Sequence, residues 1–365
     1  MKALEIYAGR RAIARIRQQG LTPADVRVIP GAAGGPKGLT LLPLDRFIFG
    51  EWLPQSSQPV DLVGASIGAW RMAAACLPEP VTALEKLQHD YIHQQYDVPP
   101  GKKRPSPEHI SERFGIGIDA TFSEHVETIL QHPRYRLHVV TSRGRHLLHR
   151  DTATRASLGY FGAYMTNVVS RKAMGAWIER AVFSAQAAPL PFAANDYRTR
   201  RYALSNANFS QAVQASCSIP FVLKAVHDVP GAPRGAYWDG GITDYHLHLD
   251  YRAACGGIDG AGDGVVLYPH FQRAVVPGWL DKSLKWRHGS TPFLDDVIVL
   301  APSAEWIKTL PNGKIPDRSD FTTYGSNFTG RVAAWTKAVA ESERLRDEFA
   351  EWVAGGASVE AVSAL

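Results

Sequence analysis

Short apolar runs alternate with glycine-containing loops and helical segments along the first part of the chain. The runs VRVIP (26–30) and PVDLVGAS (59–66) are typical of buried strands, and each is followed by a tight loop and a helical segment. Strand, loop and helix repeated in this way predict an α/β fold with largely parallel strands. Three later apolar runs are also predicted strands: RYRLHVVTSR (134–143), GVVLYPHF (264–271) and DDVIVLAP (295–302).

Amphipathic segments are predicted at both ends of the chain. Residues 2–19 place apolar side chains on one side and arginines elsewhere, which predicts a helix that ends at Gly20. Residues 330–353 have the apolar spacing of a C-terminal helix. Because no internal repeat or linker interrupts the pattern, we expect residues 1–365 to form a single domain, with its core at about 24–300.

The composition indicates a globular protein with a mild positive charge. Hydrophobic residues make up 45% of the chain and charged residues 21%, and the net charge is +5. This charge suits an anionic membrane surface but gives no indication of nucleic-acid binding. No apolar run is long enough for a membrane span, and the N-terminal segment lacks the apolar core of a secretory signal. With three cysteines and no CxxC pair, we expect a cytoplasmic protein that contacts membranes transiently, and the oligomeric state stays open.

A G-x-S-x-G sequence follows the second predicted strand. Residues 64–68 read GASIG, and a helix is predicted directly after them. A sharp turn between strand and helix exposes the hydroxyl of its serine, here Ser66. Gly64 and Gly68 leave room where a Cβ atom would meet the neighbouring chain. The pattern therefore predicts a serine nucleophile, although small residues are also common in ordinary strand-to-helix turns.

The loop GAAGGPKG (31–38) is unusually rich in glycine. It does not match the phosphate-binding pattern G-x-x-x-x-G-K-[ST], because the sixth residue from Gly31 is proline and Lys37 is followed by Gly38. It does not match the dinucleotide pattern G-x-G-x-x-G either. Its position between a strand and a helix, next to the serine turn, predicts that its backbone N–H groups form an oxyanion hole.

Two more small-residue blocks follow in order, ASCSIP (215–220) and DGG (239–241). Together with the glycine-rich loop and the serine turn, they make the chain resemble the patatin-like phospholipase family. In that family the four blocks are an oxyanion loop, a nucleophile turn, a small-residue A-S-x-x-[IV]-P block and a D-G-[GA] turn that supplies an aspartate. The resemblance covers about 31–241 and implies a three-layer α/β/α fold with a central, mostly parallel sheet.

The resemblance also implies the roles of individual residues. Ser66 would be the nucleophile, Asp239 the base, and Gly34 and Gly35 the oxyanion donors, in a reaction that cleaves lipid esters without a metal or another cofactor. The residues expected to support these motifs are Lys37, Gly38, Gly64, Gly68, Gly240 and Gly241. The loop departs from the family pattern, which often begins D-G-G-G, because alanines occupy positions 32 and 33.

An aspartate needs help to act as the base for an alcohol. An ordinary carboxylate has a pKa of about 4 and is a poor base. Burial raises the pKa of a carboxyl group, and an oxyanion hole lowers the barrier to acyl transfer. The residue before Asp239, Trp238, is expected to shield it from water.

The sequence leaves several alternatives open. A Ser-His-Asp hydrolase would use His246, His248 or His270. The first two of these histidines alternate as on a strand, so they can also be read as zinc or iron ligands. GGIDGAGDG (256–264) resembles one copy of a calcium-binding repeat, although an ordinary turn explains it. A non-catalytic lipid-binding protein on a hydrolase fold is the remaining alternative.

A further surface hypothesis concerns WLDKSLKWRHGSTPF (279–293). This segment combines tryptophan with basic residues, as membrane-interface segments do. We expect either an interfacial surface that includes Trp279 and Trp286 or an ordinary solvated loop.

Overall fold

The computed structural model of the protein describes residues 1–102, 105–186, 189–256 and 264–365. These residues form a mixed sheet of eleven strands together with helices, in the three-layer α/β/α arrangement that the sequence predicts. Six of its ten strand pairings are parallel, so the expectation of a mostly parallel sheet is confirmed.

The elements follow one another along the chain as follows. The strands are β1 (Leu4–Ala8), β2 (Val26–Gly31), β3 (Val60–Ala65), β4 (Tyr135–Gly144), β5 (Ile178–Ser184), β6 (Thr199–Ala203), β7 (Val226–His227), β8 (Ala236–Asp239), β9 (Val265–Pro269), β10 (Val297–Pro302) and β11 (Val362–Ala364). The helices are α1 (Arg10–Gln19), α2 (Leu42–Phe47), α3 (Ile67–Ala75), α4 (Pro80–His93), α5 (Pro107–Phe122), α6 (Val126–Leu130), α7 (Ala153–Val169), α8 (Arg171–Met174), α9 (Phe209–Cys217), α10 (Ala304–Ile307), α11 (Ser319–Tyr324), α12 (Phe328–Glu341) and α13 (Glu343–Ala354).

The order of the strands places the centre of the sheet at β2, β3 and β4. The order is β11-β1-β10-β9-β2-β3-β4-β5-β6, and β8 pairs with both β4 and β7. Every residue of β3 is buried. Strands covered on both faces read as nearly continuous apolar runs, which explains why the sequence identified β2 and β3 so readily.

The strand register brings two predicted site residues together. Ala65, the last residue of β3, pairs with Val140 of β4. The next residue of β4, Thr141, pairs with Asp239 at the end of the antiparallel strand β8. Ser66 and Asp239 therefore flank β4 at adjacent positions, although they are far apart in the sequence.

The predicted N-terminal helix over 2–19 is wrong in its first part. Leu4–Ala8 is strand β1, which pairs with β10 and β11, and only Arg10–Gln19 is helical. The burial of β1 alternates along the strand, with its first, third and fifth residues buried and the two between them half-buried. The sequence did not reveal this strand, because apolar residues that alternate with a period of two at 4–8 also fit the spacing of a helix. A Cβ atom at Gly9 would lie 2.0 Å from the Leu294 carbonyl oxygen, so the chain turns there in close contact.

The predicted core of about 24–300 is also too short, because β1 and β11, which lie outside it, belong to the same sheet. At the C-terminus, the predicted helix over 330–353 is two helices, α12 and α13, which meet at Ser342. The Ser342 hydroxyl donates to the Ala338 carbonyl at 2.7 Å, a bond that competes with the helical pattern. The apolar side that the sequence predicted is largely buried, including Trp335 and Phe349.

A smaller apolar cluster lies apart from the main core. It joins the inner side of α7 to β8, and the Tyr160 and Trp238 rings meet in it edge to face at 6.1 Å. Among the described residues, no helix is both long enough and apolar enough to cross a membrane.

Candidate active site

Ser66 lies at a sharp turn between β3 and α3. It has φ 57° and ψ −130°, a region that residues other than glycine rarely adopt. A Cβ atom at Gly64 would lie 2.6 Å from the Ala69 nitrogen, and one at Gly68 would lie 1.8 Å from the Gly31 carbonyl oxygen. The two glycines of the predicted motif are therefore required by the close approach of neighbouring backbone.

A buried serine from the third predicted block holds this turn. The Ser66 amide donates to the Ser216 hydroxyl at 2.9 Å, and that hydroxyl donates to the Val140 carbonyl at 2.6 Å. Helix α9 is thereby tied to the serine turn and to β4. The sequence pointed to the ASCSIP block without giving Ser216 a role, because nothing local indicates which atom its hydroxyl contacts.

Asp239 accepts a hydrogen bond from the Ser66 hydroxyl. Its Oδ2 atom lies 2.7 Å from Ser66 Oγ, and its Oδ1 atom accepts from the Gly241 amide at 2.7 Å. A Cβ atom at Gly240 would lie 2.1 Å from the Val140 carbonyl oxygen, and one at Gly241 would lie 2.6 Å from the Ala33 Cβ atom. The DGG turn thus fits a space in which neither glycine can carry a side chain.

The environment of Asp239 favours its protonated form. Burial raises the pKa of this carboxyl group above its ordinary value, while Arg318 and the hydrogen bond from Ser66 oppose the rise. The neighbouring Trp238 is almost fully buried and its ring packs against Tyr160, so its shielding of Asp239 stays a prediction. A carboxylate with a raised pKa is a stronger base than one in water.

The glycine-rich loop approaches the same site from the end of β2. Gly34 is extended, with φ 172°, and Gly35 has φ +57° and begins a 3-10 helix that runs from Gly35 to Leu41. Within the part of the chain that the structure describes, the Gly34 and Gly35 amides donate to no other backbone group. Gly34 lines a cavity together with Asp239. The Gly34 and Gly35 amides are therefore not used in backbone hydrogen bonds among the described residues, and their role as oxyanion donors stays a prediction.

Lys37 and Gly38 support this loop. The Lys37 ammonium lies 4.9 Å from the centre of the Phe271 ring, and burial lowers its pKa. A Cβ atom at Gly38 would lie 3.1 Å from the Ile67 side chain, so a larger residue there would push the loop away from the start of α3.

The cavity beside the dyad has a volume of about 230 Å³ and contains an excess of positive charge. Lys37, Lys282 and Arg318 all line it. Its acidic residues are Asp239 and Asp317, and the Asp317 carboxylate is paired with the Lys314 ammonium at 2.8 Å. The lining therefore gives the cavity a positive electrostatic potential.

Two of these cations, Lys282 and Arg318, belong to no catalytic motif of the sequence, although Lys282 lies within the 279–293 segment of the interfacial hypothesis. The Lys282 ammonium lies 3.9 Å from the centre of the Tyr245 ring. Burial, Arg318 and Lys37 lower the Lys282 pKa to about 8. The Arg318 Nε atom lies 3.1 Å from the place that a Cβ atom at Gly35 would occupy, so this guanidinium covers the glycine-rich loop. Only the tertiary structure reveals these positions, because neither residue belongs to a motif.

The three candidate histidines have other partners. His246 faces the Ala274 carbonyl, His248 contacts the Val275 carbonyl and the Thr291 hydroxyl, and His270 contacts the Gln272 carbonyl. All three are buried, and burial lowers the pKa of each. Among the described residues no histidine hydrogen-bonds to Ser66.

The metal readings of the sequence find no support in the geometry. His246 and His248 are not on a strand, and Leu247 between them has φ +48°. Across 1–102, 105–186, 189–256 and 264–365, no cluster of three or more potential ligands is close enough to hold a metal ion. Most of the calcium-like sequence GGIDGAGDG, residues 257–263, lies outside the described residues.

A known protein family matches a large central part of the chain. Residues 51–246, more than half of the chain, match the family model for patatin-like phospholipase. No curated protein matches the chain. The matched region includes Ser66 and Asp239, whereas the glycine-rich loop precedes it and Lys282 and Arg318 follow it. With its serine turn, its DGG turn and the match across both, the chain belongs to the patatin-like phospholipase family.

Proposed function

We propose that the protein is a serine acyl hydrolase that cleaves ester bonds of lipids with a dyad of Ser66 and Asp239. The observation that carries this proposal is the 2.7 Å hydrogen bond from the Ser66 hydroxyl to the Asp239 carboxylate, at a strained turn beside an open cavity. Family membership supports a lipid ester as the substrate class.

In the acylation step, the Ser66 oxygen attacks the ester carbonyl carbon while Asp239 takes the hydroxyl proton. The Gly241 amide fixes the second carboxylate oxygen at 2.7 Å, which keeps the first oxygen directed at the serine. The tetrahedral intermediate collapses when the carbon–oxygen bond to the alcohol breaks. The leaving alcohol receives the proton from Asp239, and the acyl group remains on Ser66.

In the deacylation step, a water molecule occupies the place that the alcohol has left. Asp239 removes a proton from this water, and the resulting hydroxide attacks the acyl carbonyl carbon. The second tetrahedral intermediate releases the fatty acid and returns the proton to the Ser66 oxygen. The same carboxylate serves both steps, so its raised pKa aids proton removal in each.

Negative charge develops on the carbonyl oxygen in both steps. We assign its stabilisation to the Gly34 and Gly35 amides, which have no backbone acceptor among the described residues. Loss of one such donor typically lowers kcat by about 10²–10³-fold. Arg318 lies over Gly35 and adds positive potential on the same side of the site.

The walls of the cavity suit an acyl substrate. Ile219, Pro220, Ile242, Tyr245 and Trp279 provide apolar and aromatic surface around the polar dyad. These apolar groups stand beside the charged groups of the cavity, a combination that can hold both the acyl chain and the polar part of an ester.

The test is hydrolysis of p-nitrophenyl esters of graded chain length by the wild-type protein, Ser66→Ala and Asp239→Asn. We expect both variants to lose activity, while the matched control Asp90→Asn, an exposed carboxylate, keeps it. The chain-length profile of the wild type measures the acyl pocket. If Asp239→Asn retains most of the activity, the dyad is wrong, and His246, His248 and His270 become the candidates for the base.

The alternative of a non-catalytic lipid-binding protein makes a different prediction. A fluorophosphonate probe should label the wild-type protein at Ser66 and leave Ser66→Ala unlabelled. A wild-type protein that binds lipid and hydrolyses no ester, without labelling, would contradict the hydrolase proposal.

A further inference from the structure

The outer side of helix α7 is apolar although it faces solvent. Five large apolar side chains are exposed there: Leu158, Phe161, Met165, Val168 and Val169. At 100° per residue they fall within an arc of about 100°. The opposite side of the helix packs into the smaller apolar cluster through Ala156, Tyr160 and Ala163. The helix therefore satisfies its packing on one side and presents a second apolar side with no partner among the described residues.

Two neighbouring segments enlarge this apolar surface. Phe221 and Val222 are exposed, and the Phe221 ring contacts the Tyr160 ring of α7 at 6.0 Å. Trp286 is 70% exposed. Its neighbour Arg287 donates to the Val168 carbonyl at 3.2 Å, which holds the tryptophan loop against the end of α7. We call the five α7 residues, Phe221, Val222 and Trp286 the docking face.

The docking face borders the mouth of the catalytic cavity on two sides. Ile219 and Pro220 line the cavity and lead directly into Phe221 and Val222. Trp279 and Lys282 also line the cavity and lie in the loop that carries Trp286. This corrects one detail of the interfacial hypothesis for 279–293, because Trp279 is half-buried at the cavity while Trp286 points outward.

The segments of the docking face carry an excess of positive charge, although their Lys224 ammonium is paired with Glu108 and Asp151 of neighbouring segments. Segments 153–174, 218–224 and 279–291 contain a single acidic residue, Asp281. That carboxylate is buried and paired with Arg171 and Arg287. Apart from Lys282, which lines the cavity, the exposed charged residues that remain in these segments are the cations Arg155, Lys172 and Lys285.

We propose that the docking face binds the surface of a phospholipid bilayer that contains anionic lipids, with the catalytic cavity opening toward it. The proposal rests on the proposed function, since it explains how a lipid ester reaches the dyad. Apolar side chains that penetrate the headgroup region and a cationic rim that faces anionic lipids are the features of interfacial helices. A second copy of the chain fits this surface poorly, because a twofold interface would bring the same cations against each other.

The test is flotation of the full chain with vesicles of phosphatidylcholine, with and without phosphatidylserine. It uses the Ser66→Ala protein, so that hydrolysis does not alter the vesicles. We expect binding that is stronger with phosphatidylserine and weaker at high salt. Removing one inserted apolar side chain should weaken binding about tenfold. One variant combines Phe161→Gln with Met165→Gln, and the other is Trp286→Gln. Each is compared with the control Val98→Gln, because Val98 is an exposed apolar residue outside the docking face.

Three results would overturn the proposal. The first is that the Ser66→Ala protein does not bind vesicles, and the second is that the docking-face variants bind as strongly as that protein. The third is that the protein sediments as a dimer and the double variant Phe161→Gln, Met165→Gln sediments as a monomer. The last result would make the face a contact between copies. Hydrolysis of a water-soluble p-nitrophenyl ester, measured with Ser66 intact, reports separately on the dyad. A docked protein without esterase activity would contradict the proposed function, and an active esterase that ignores vesicles would contradict the docking face.

Discussion

The Ser216 hydroxyl and the Ser66 amide form a buried hydrogen bond of 2.9 Å between residues 150 positions apart in the sequence. The same hydroxyl donates to the Val140 carbonyl at 2.6 Å. One side chain thus satisfies two buried backbone groups and holds the strained serine turn against the neighbouring strand. The geometry of the candidate nucleophile depends on a residue that does not contact the dyad carboxylate.

Ser216→Ala should lower both stability and activity. The Ser66 amide and the Val140 carbonyl would lose their partners, which we expect to reduce the free energy of unfolding by about 1–3 kcal/mol. The kcat for ester hydrolysis should fall by more than the smaller amount of folded protein explains. Without the Ser216 hydroxyl, the backbone at Ser66 can move away from its strained conformation with positive φ. Urea unfolding and initial rates on a soluble ester measure the two effects.

The control for this variant is Ser218→Ala, in the same block. The Ser218 hydroxyl donates only to the Gln214 carbonyl of α9, so its loss should have a smaller effect on both measurements. Equal effects at the two serines would contradict a special role for Ser216.

Gly68→Ala should be severely destabilising. Its Cβ atom would lie 1.8 Å from the Gly31 carbonyl oxygen, which belongs to the backbone and cannot move without displacing the glycine-rich loop. We expect a loss of at least about 3 kcal/mol, in the range of the most damaging single substitutions. Gly289→Ala is the matched control, because nothing lies within 4 Å of a Cβ atom there. The melting temperatures of the two variants and of the wild type measure these losses of stability.

The features that the sequence predicted well are local ones. A serine between Gly64 and Gly68 after an apolar strand, and an aspartate before two glycines, carry turn chemistry that can be read from adjacent residues. Their contact across β4 follows from strand register, and the sequence suggested it only through the order of the family motifs. The roles of Ser216, Lys282 and Arg318 were beyond prediction, because they depend on packing between segments far apart in the chain.

The errors have a physical cause as well. Leu4 and Ala8 fit one side of a helix, and together with Ile6 they fit one face of a strand, so the pattern at 2–19 did not distinguish the two. The pairing of β1 with β10 decided the outcome.

Asp239→Asn should stabilise the protein at neutral pH while it abolishes activity. Burial raises the folded-state pKa of Asp239, so the native protein holds this proton more tightly than the unfolded chain does. The free energy of unfolding therefore falls as the pH rises from 3.8, the ordinary pKa of aspartate in the unfolded chain, through the higher pKa of the folded protein. Asparagine stays neutral and avoids this loss.

The measurement is the melting temperature of wild type and Asp239→Asn from acid to neutral pH. We expect the variant to melt higher at pH 7 and the difference to shrink toward acid pH, where the wild-type carboxyl group is protonated in both states. Asp90→Asn serves as the control for an exposed carboxylate. If the variant melts at a lower temperature than the wild type at pH 7, the hydrogen bonds and cations around Asp239 stabilise its charged form by more than burial destabilises it, which would contradict the prediction.

Lys282 should make the preference for anionic substrates dependent on pH. Its ammonium faces the Tyr245 ring and shares the cavity with Arg318, Lys37 and Asp239, and burial with the two nearby cations lowers its pKa to about 8. The positive charge is present below that pH and lost above it.

The measurement is the ratio of kcat/KM for a lysophospholipid with an anionic headgroup to kcat/KM for a neutral monoacylglycerol. Because the dyad titrates in the same way with both substrates, the ratio corrects for that titration. We expect the ratio to fall between pH 7 and pH 9. Lys282→Arg should abolish the fall because arginine keeps its charge, and Lys282→Met should show a low ratio at both pH values. The control is Lys337→Met, an exposed lysine of α12 that does not line the cavity and lies outside the docking face, and it should behave like wild type. A ratio that falls equally in Lys282→Arg would assign the titration to another group.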